Sequence, residues 1–410
     1  MIKEKIINTN KETSINIIQT KIESIRKRNI TTTGYRVYHN NCIGVAGALG
    51  SHDEKEFEAR AVKALELKIP YSYKVTSNRN LHEDYRNDLL TEEQFVQEVD
   101  ELLKELRCRC SDFIFSSNIK MSEEYVELIN SENLNLSYRD KALKIELGVK
   151  HKSSIAIIDF AIDIISREYN KDEIIQYIEE ICNGYNNMVD LSLEGKVPVV
   201  FLESEYLLYL KLWQELNGMK FGTGASLLSK SIGEKIFNEE FTLYQRATKN
   251  EILVPFFDVE GIINEGYEVS LIDKGVMVSP YTSKKIAETY NLPLTGAASC
   301  AYDEVPNLGI PSLAIKPSNK TCKELLKGEM GILVVIASGG DYTPEGVFGT
   351  PVQMAMLFDG EKIIGRLPEI QLSSDLFSMY GKDFRGVSKN TINKISNTRY
   401  VVMDLEIRKL

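Results

Sequence analysis

Histidine is the first residue type to consider for chemistry in this chain of 410 residues, and it occurs only 4 times. His39, His52, His82 and His151 all lie in the first half, and no two are close together in sequence. A metal-binding helix of the H-E-x-x-H type needs two imidazoles one turn apart. The spacing therefore predicts ordinary surface or strand histidines and no metal site of this type.

Cys300 is a candidate nucleophile because it ends the small-residue loop Gly296–Cys300. A cysteine nucleophile needs a neighbouring base, and no histidine follows His151. Free cysteine is also among the most buried residue types. The sequence favours a small buried cysteine, and the alternative is a nucleophile whose base comes from the first half of the chain.

Two glycine-rich segments and one pair of carboxylates complete the candidates. Gly222–Ser226 lacks the Gly-Lys-Ser/Thr ending of a phosphate-binding loop and the full G-x-G-x-x-G pattern, which favours a tight turn. Asp341 stands in a similar glycine turn, and Asp258 and Glu260 are predicted to be solvated turn residues. We therefore predict no catalytic constellation, no metal site and no bound cofactor from the residues alone.

The overall charge excludes some classes of partner. Lys and Arg number 49 and Asp and Glu number 59, which gives a net charge of −10. An acidic balance argues against a protein that binds the phosphate backbone of nucleic acid. The longest apolar stretch, Ile155–Ile165, is interrupted by Asp159 and Asp163 and is too short to span a bilayer. We expect a cytoplasmic protein that binds neither nucleic acid nor membranes.

The elements that must position these residues begin with helices and strands in the first half. Ile15, Ile18, Ile22 and Ile25 recur at helical spacing and predict a helix. The stretch Gly34–Gly47 predicts two short strands around a turn at its two adjacent asparagines.

Two capping boxes predict the starts of helices. Ser51–Glu54 predicts a helix from about Asp53 to about Lys68, and Thr91–Gln94 predicts a second amphipathic helix. Further along, the alternation in Ala142–Lys150 predicts a half-buried strand. We expect Ser153–Ile165 to be its hairpin partner, with a helix as the alternative that periodicity leaves open, and Asp172–Val189 to be a helix.

The sequence pattern changes at Gly195–Pro198, where the helical spacing of apolar residues ends. We predict an N-terminal domain over residues 1–190 and a C-terminal domain over residues 196–410. The predicted fold class is α+β, with a helix-on-sheet domain followed by a β-rich domain of sandwich or barrel-like form. Its predicted elements are the strand Val197–Leu202, the helix Glu205–Leu216 and the strands Gly331–Ala337, Val352–Phe358, Lys362–Ile364 and Tyr400–Ile407.

The second half also contains an ordered set of short motifs. They are Val197–Phe201, Phe221–Glu234, Pro255–Gly261, Asp273–Val276 with Tyr281 and Lys284, Leu294–Ala298 with Pro306–Leu308, and Gly360–Ile363. In this order they resemble the TldD/PmbA family, also called the modulator of DNA gyrase family. The resemblance covers about residues 197–370, and the N-terminal half follows the family by layout only.

The family that the chain resembles has two branches. TldD proteins look like zinc peptidases with H-E-x-x-x-H on a helix, whereas TldE (PmbA) proteins lack these ligands and pair with TldD. Ungapped counting puts the two histidine positions near Tyr209 and Gln214 and the glutamate near Leu210. These side chains do not form a zinc site. TldD proteins also resemble one another in a cysteine ligand near the C-terminus, and the last cysteine here, Cys322, comes too early in the chain for that position. The resemblance therefore implies the TldE/PmbA-like branch.

That branch implies a metal-free subunit that is not catalytic alone. It would complete a peptide groove for a TldD-like peptidase that acts on unfolded peptides or modified peptide precursors. The expected partners are a TldD-like subunit and a peptide substrate, and we expect a homodimer when the chain is alone. Two alternatives stay open: a stand-alone enzyme with a non-zinc mechanism, for example through Cys300, and a peptide-binding scaffold without a peptidase partner.

A groove that accepts many sequences should bind the peptide as an added strand, through main-chain hydrogen bonds. Glycines that allow another backbone to approach point to three loops of the second half. The candidate groove residues are Gly222, Thr223, Gly224, Ser226, Gly296, Ser299, Cys300, Asp341 and Thr343.

Overall fold

The structure is a computed structural model that describes residues 1–410. The helices are α1 (Glu54–Ala64), α2 (Glu92–Arg109), α3 (Lys171–Asn186), α4 (Tyr206–Glu215), α5 (Gly218–Gly222), α6 (Lys284–Tyr290), α7 (Cys322–Leu326) and α8 (Leu376–Tyr380). The strands of the first half are β1 (Ile2–Ile18), β2 (Lys21–His39), β3 (Cys42–Leu49), β4 (Ile69–Pro70), β5 (Arg79–Asp84), β6 (Phe113–Asn130), β7 (Leu134–His151) and β8 (Phe160–Ser166). The strands of the second half are β9 (Gly195–Leu202), β10 (Leu243–Arg246), β11 (Glu268–Asp273), β12 (Val276–Met277), β13 (Ala298–Ser299), β14 (Asn307–Leu308), β15 (Leu313–Ile315), β16 (Gly331–Ala337), β17 (Asp341–Tyr342), β18 (Val347–Phe358), β19 (Ile363–Arg366), β20 (Ile370–Asp375), β21 (Phe384–Thr391) and β22 (Arg399–Lys409).

A large sheet in the order β4-β3-β2-β1-β6-β7-β5, with β8 beside β7, forms the first half. The helix predicted from Ile15, Ile18, Ile22 and Ile25 is wrong, because these residues lie on two antiparallel strands, β1 and β2. Ile15 pairs directly with Ile25 across this hairpin. From Thr13 to Ile17 every second residue of β1 is buried, including Ile15 and Ile17, which is the strand period and not the helical one.

The turn between β2 and β3 confirms the hairpin predicted in Gly34–Gly47. Asn40 and Asn41 have φ angles of +47° and +58°. Two successive left-handed residues form the hairpin turn whose twist matches the flanking strands, and asparagine tolerates that conformation better than most residues. The register runs from Thr32↔Leu49 to His39↔Cys42.

One of the two predicted capping boxes is present. Thr91 and Gln94 cap α2 reciprocally, with N···O distances of 2.9 and 3.3 Å. The box at Ser51–Glu54 is wrong, because α1 begins at Glu54 and the Asp53 carboxylate accepts from the Lys55 N–H at 2.9 Å. Asp53 is the residue adjacent to the first turn, so its carboxylate takes the capping position.

The strand predicted to follow Ala142–Lys150 as its hairpin partner is shorter than expected. Ala142–Lys150 lies within β7, and only the part of Ser153–Ile165 from Phe160 onward pairs with it, as β8. The helix predicted over Asp172–Val189 is α3, which ends at Asn186.

In the second half, five strands close on themselves in the order β16-β9-β22-β20-β18, and β18 pairs back to β16. A smaller sheet in the order β12-β11-β10-β15 and the pair β13-β14 lie beside this barrel. Together with the helices of the first half, this confirms the predicted α+β class with a β-rich C-terminal part.

One buried cluster joins the halves: Ile178 of α3 belongs to the same core as Met356 of β18 and Val402 of β22. A second core fills the barrel and packs it against α4 through Leu208 and Leu212. None of the eight helices combines the length and the apolar character of a membrane-spanning helix.

Candidate functional site

Helix α4 carries two charged side chains on its buried side. Lys211 and Glu215 are separated by one helical turn, and Lys211 Nζ lies 2.9 Å from Glu215 Oε1. Both residues are buried, at 2 % and 0 % exposure. Burying a charge is costly unless it is paired and hydrogen-bonded, so the surroundings of Glu215 decide whether this pair is satisfied.

The Glu215 carboxylate is fully partnered. Lys220 Nζ lies 2.6 Å from Oε1, and the Leu227 N–H donates to Oε2 at 2.8 Å. Burial by itself raises the pKa of Glu215, but the hydrogen bonds from Lys220 and Lys211 outweigh it and hold that pKa below its usual value. The carboxylate is therefore a fixed anion whose acceptor positions are already in use.

The same cluster joins two of the candidate loops. Ser226 donates its hydroxyl to the Glu215 carbonyl at 2.6 Å. On the other side, Lys211 Nζ donates to the carbonyls of Thr343 and Pro344, each at 3.1 Å. Helix α4 thus connects the loop Gly222–Ser226 with the loop that contains Thr343.

The other residues of these two loops differ in what they contact. A Cβ on Gly222 would lie 2.2 Å from the Tyr290 ring, and Gly224, at φ +78°, faces open space. Thr223 donates its hydroxyl to backbone carbonyls within its own turn. Asp341 is exposed, and its carboxylate accepts from the Tyr342 N–H at 2.7 Å.

The third candidate loop, Gly296–Cys300, packs against the N-terminal sheet. Gly296 has φ +71° beside Ile262, and Ser299 lies on β13. Cys300 Sγ accepts from Arg36 Nη2 of β2 at 3.0 Å. The contacts therefore bring two of the three loops together at α4. They hold the third at the interface where loops of the second half meet β2, which we call the seam.

Arg36 belongs to a buried ionic network at this seam. It is 1 % exposed, and its Nη1 lies 3.2 Å from Glu4 Oε1. The same nitrogen donates to the carbonyl of Val259, and Tyr38 donates its hydroxyl to Glu4 at 2.7 Å. One arginine thus links β1 and β2 to two loops of the C-terminal half.

Asp258 and Glu260 stand on the other side of the seam. Glu260 is 3 % exposed and accepts from the Tyr71 hydroxyl at 2.8 Å and the Lys284 N–H at 2.9 Å. Asp258 accepts from the backbone N–H groups of Glu260, Ile262 and Ala298. The prediction that these carboxylates are solvated is wrong, because Glu260 is buried against Tyr71 and Lys284 and the half-buried Asp258 is held by backbone N–H groups.

Burial dominates the electrostatics of the seam. It raises the pKa of Asp258 to about 7, with a further contribution from Glu260. It raises the pKa of the Cys300 thiol, which Arg36 opposes, and lowers the pKa of the Lys284 ammonium. A cavity of about 160 Å³ opens here and is lined by Arg36, Asp258 and Cys300. Burial thus favours the neutral thiol of Cys300, which is the less reactive form of cysteine.

The donor set of α4 does not fit zinc. Zinc in proteins takes imidazole, thiolate or free carboxylate ligands. Helix α4 contains no histidine or cysteine, and its carboxylate Glu215 is already ion-paired with two lysines. Across the structure, no group of three or more His, Cys, Asp or Glu side chains is arranged to hold a metal ion.

The sequence analysis did not single out the residues that organise the ionic cluster of α4 and the network at the seam. Lys211 and Glu215 had a visible signal, since they are the charged pair at i, i+4 in the otherwise apolar segment YLLYLKLWQEL. Arg36 had no comparable signal, because its partners Glu4 and Cys300 are far from it in the chain.

Fold and site together define an α+β protein whose closed C-terminal barrel packs on a helix that carries a buried ionic cluster. The sequence profile of the PmbA/TldA metallopeptidase C-terminal domain matches residues 194–404, half of the chain. The chain belongs to the TldD/PmbA family.

Solved structures have the same fold at low sequence identity. TldE from Thermococcus kodakarensis is 18% identical with a TM-score of 0.77, over 99% of this chain and 96% of that one. A protein from Thermotoga maritima, described as a candidate modulator of a DNA gyrase, is 14% identical with a TM-score of 0.79 over the same shares. A similarly described protein from Bacteroides thetaiotaomicron is 15% identical with a TM-score of 0.75, over 100% of this chain and 95% of that one. A comparison with curated proteins gives no significant match.

Proposed function

We propose that this chain is a TldE-like, metal-free subunit that works in the cytoplasm with a TldD-like peptidase on unfolded peptides or peptide precursors. The observation that carries the proposal is the Lys211–Glu215 ion pair on α4. In the zinc peptidases that the chain resembles, the helix before the Gly-Ser stretch carries the ligands. The likeness in fold to a protein named TldE supports the same branch.

The peptide groove is proposed at the two loops that α4 connects. Gly224 has open space in front of it, and the carbonyls of Thr343 and Pro344 are fixed by Lys211. A peptide that adds as a strand would be read through its main chain, so this groove would accept many sequences. Gly296, Ser299 and Cys300 are proposed to support the groove from the seam.

The decisive experiment is affinity capture of the tagged chain from its native cell, followed by reconstitution. We expect a TldD-like protein with an H-E-x-x-x-H helix to be captured, and the pair to cleave an unfolded protein such as reduced casein. The chain alone should be inactive. Cleavage by the pure chain that is abolished by thiol alkylation would overturn the proposal in favour of a Cys300 enzyme. Binding of peptide with no peptidase captured would favour a scaffold.

A matched pair of glycine variants tests the groove. Gly224→Trp should weaken cleavage by the pair about tenfold, since a large side chain would fill the space where a peptide backbone passes. Gly233→Trp is the control, because Gly233 has the same positive φ and equally open surroundings. Both variants carry similar backbone strain, so an equal loss of activity in the two would contradict the groove.

Metal content and self-association follow from the same proposal. Elemental analysis of the purified chain should give no stoichiometric transition metal. About one zinc per chain that survives dialysis against a chelator would contradict it. Light scattering should report a C2 homodimer for the chain alone, and a species of 46.5 kDa at high concentration would contradict that expectation.

A further inference from the structure

A second cavity lies between the two halves of the chain, beside the start of α4, and its lining includes neither the Lys211–Glu215 pair nor Arg36. It has a volume of about 320 Å³ and is bounded by β8 and α3 on one side and by β9, β16 and β22 on the other. Most of its lining is apolar, with Leu333, Val335 and Phe358 among the residues that form it. A cavity of this size suits a small organic molecule or one side chain of a peptide.

Three carboxylates enter this apolar lining, and no lysine or arginine does. They belong to Asp163, Glu180 and Glu205. Glu180 accepts only from the Ile363 N–H at 3.3 Å and Glu205 only from the Leu207 N–H at 3.5 Å, while Asp163 has no side-chain hydrogen bond. None of the three lies within ion-pair distance of a basic side chain, so the cavity has negative charge that the protein leaves unpaired.

The surrounding charges do not supply a counter-ion. Lys144 is the cation that acts most on Asp163, and its ammonium is held by Glu146 at 2.7 Å. Desolvation by the cavity walls raises the pKa of Asp163, whose side chain still reaches solvent, and of the half-buried Glu205.

Aromatic rings complete the cavity. Tyr177, Tyr206 and Tyr400 line it, and the hydroxyls of Tyr177 and Tyr400 make no hydrogen bond within the protein. Tyrosine faces attract cations, and the attraction grows when the cation is removed from water. Carboxylates, tyrosine rings and free hydroxyls in a mostly apolar lining together match a protonated amine that carries an apolar body.

We propose that this cavity binds an organic ammonium group with an apolar body, either a free amine or the basic side chain of a peptide. The ammonium would donate to the carboxylates of Asp163 and Glu180, and the apolar body would lie along Val335 and Phe358. Because the cavity is bounded by both halves of the chain, its ligand would stabilise their packing. The inference does not depend on the peptidase partner.

The test uses the full chain and three probes of the same length: n-hexylammonium, 1-hexanol and hexanoate. Trp213 is the only tryptophan, and its ring lies 5.4 Å from the ring of Tyr206. Binding should therefore change the fluorescence of Trp213, and calorimetry should give the affinity. We expect n-hexylammonium to bind and to raise the melting temperature, and the neutral and anionic probes to do neither. A short peptide with one lysine, compared with its norleucine analogue, tests the peptide source.

The variant Asp163→Asn/Glu180→Gln should weaken binding of n-hexylammonium or of the lysine peptide at least about tenfold, since it removes both charges at constant shape. Both side chains are exposed at the cavity mouth, so the fold should be retained. The control Glu234→Gln/Glu240→Gln removes two exposed carboxylates elsewhere. Binding of the lysine peptide alone assigns the ligand to peptides. Failure of both cationic probes to bind, equal binding of 1-hexanol, or an equal loss in the control variant would overturn the inference.

Discussion

The buried charges at α4 and those at the seam are both neutralised by ion pairs and hydrogen bonds, but their partners come from different distances along the chain. At α4, Lys211 and Glu215 stand one turn apart on one helix, and Lys220 follows within the next few residues. At the seam, Arg36 meets Glu4 from the neighbouring strand and Cys300 from a loop 264 positions away. The first cluster is local in sequence. In the second, the Arg36–Glu4 pair forms between neighbouring strands of the first half, and the contacts of Arg36 with Cys300 and Val259 exist only when the halves of the chain are packed together.

This difference has a physical consequence. A local ion pair brings its partners together as soon as the helix forms, and one partner, Lys220, is 34% exposed and can return to water. Neither partner of the ion pair at the seam can return to water in this way, because Arg36 and Glu4 are almost completely buried. The seam should therefore carry more of the stability of the assembled chain, and α4 should act mainly to order its two loops.

Removal of the seam arginine should have the largest effect. Arg36→Met leaves Glu4 buried without its cation and should lower the free energy of unfolding by about 3–5 kcal/mol. The measurement is urea unfolding followed by fluorescence. Arg26→Met is the control, since Arg26 is an exposed residue of the same strand. In the double variant Arg36→Met/Glu4→Gln, part of the loss should return, and a loss as large as in the single variant would contradict the pairing.

The two regions should also differ in pH dependence. Burial raises the pKa of Asp258 in the fold from 3.8 to about 7, so its contribution to stability is complete below about 4 and is lost as pH rises to about 7. This change should amount to about 2–4 kcal/mol. The pKa of Glu215 is lowered, so its contribution is present above pH 4.5 and is lost as pH falls. Urea unfolding of Asp258→Asn and Glu215→Gln across this range should show opposite slopes relative to wild type, and parallel slopes would contradict the assignment.

A smaller loss is expected when the local cluster is broken at constant pH. Glu215→Gln should cost about 2 kcal/mol, because Lys220 can swing into water and Lys211 keeps its two carbonyl acceptors. The matched control is Glu239→Gln, which breaks an exposed i, i+4 pair with Lys235 and should cost below about 0.5 kcal/mol. Equal effects of the two changes would show that burial at α4 has no energetic role.

The smallest effect is expected at the thiol of the seam. Cys300→Ala removes one acceptor of Arg36, which keeps Glu4 and the Val259 carbonyl, so the cost should be about 1 kcal/mol. Alkylation of Cys300 by iodoacetamide at pH 7 should be slower than that of Cys108, because Cys108 is exposed and burial raises the pKa of Cys300. Faster reaction at Cys300 would revive the stand-alone enzyme.

The parts of the fold that could be predicted are those with local causes. The Asn40-Asn41 turn, the Thr91–Gln94 capping box and the alternating strand Ala142–Lys150 each depend on a few neighbouring residues. The helix predicted from Ile15 to Ile25 failed because four isoleucines at helical spacing came from two strands of one hairpin. Local spacing does not reveal a turn in the middle when the turn residues, Gln19 and Thr20, are not glycine or asparagine.

For the site, the sequence by itself determined the absence of imidazole after His151, the charged pair on α4 and the ordered motifs of the family, because each is a property of residue type and order. Only the tertiary structure decided that Glu260 is buried and Asp258 half-buried, and that Cys300 meets Arg36. It also decided that Asp163 and Glu180 face a cavity. These facts depend on which surfaces of the two halves cover each other, and the energy of a buried charge depends on that cover more than on its neighbours in sequence.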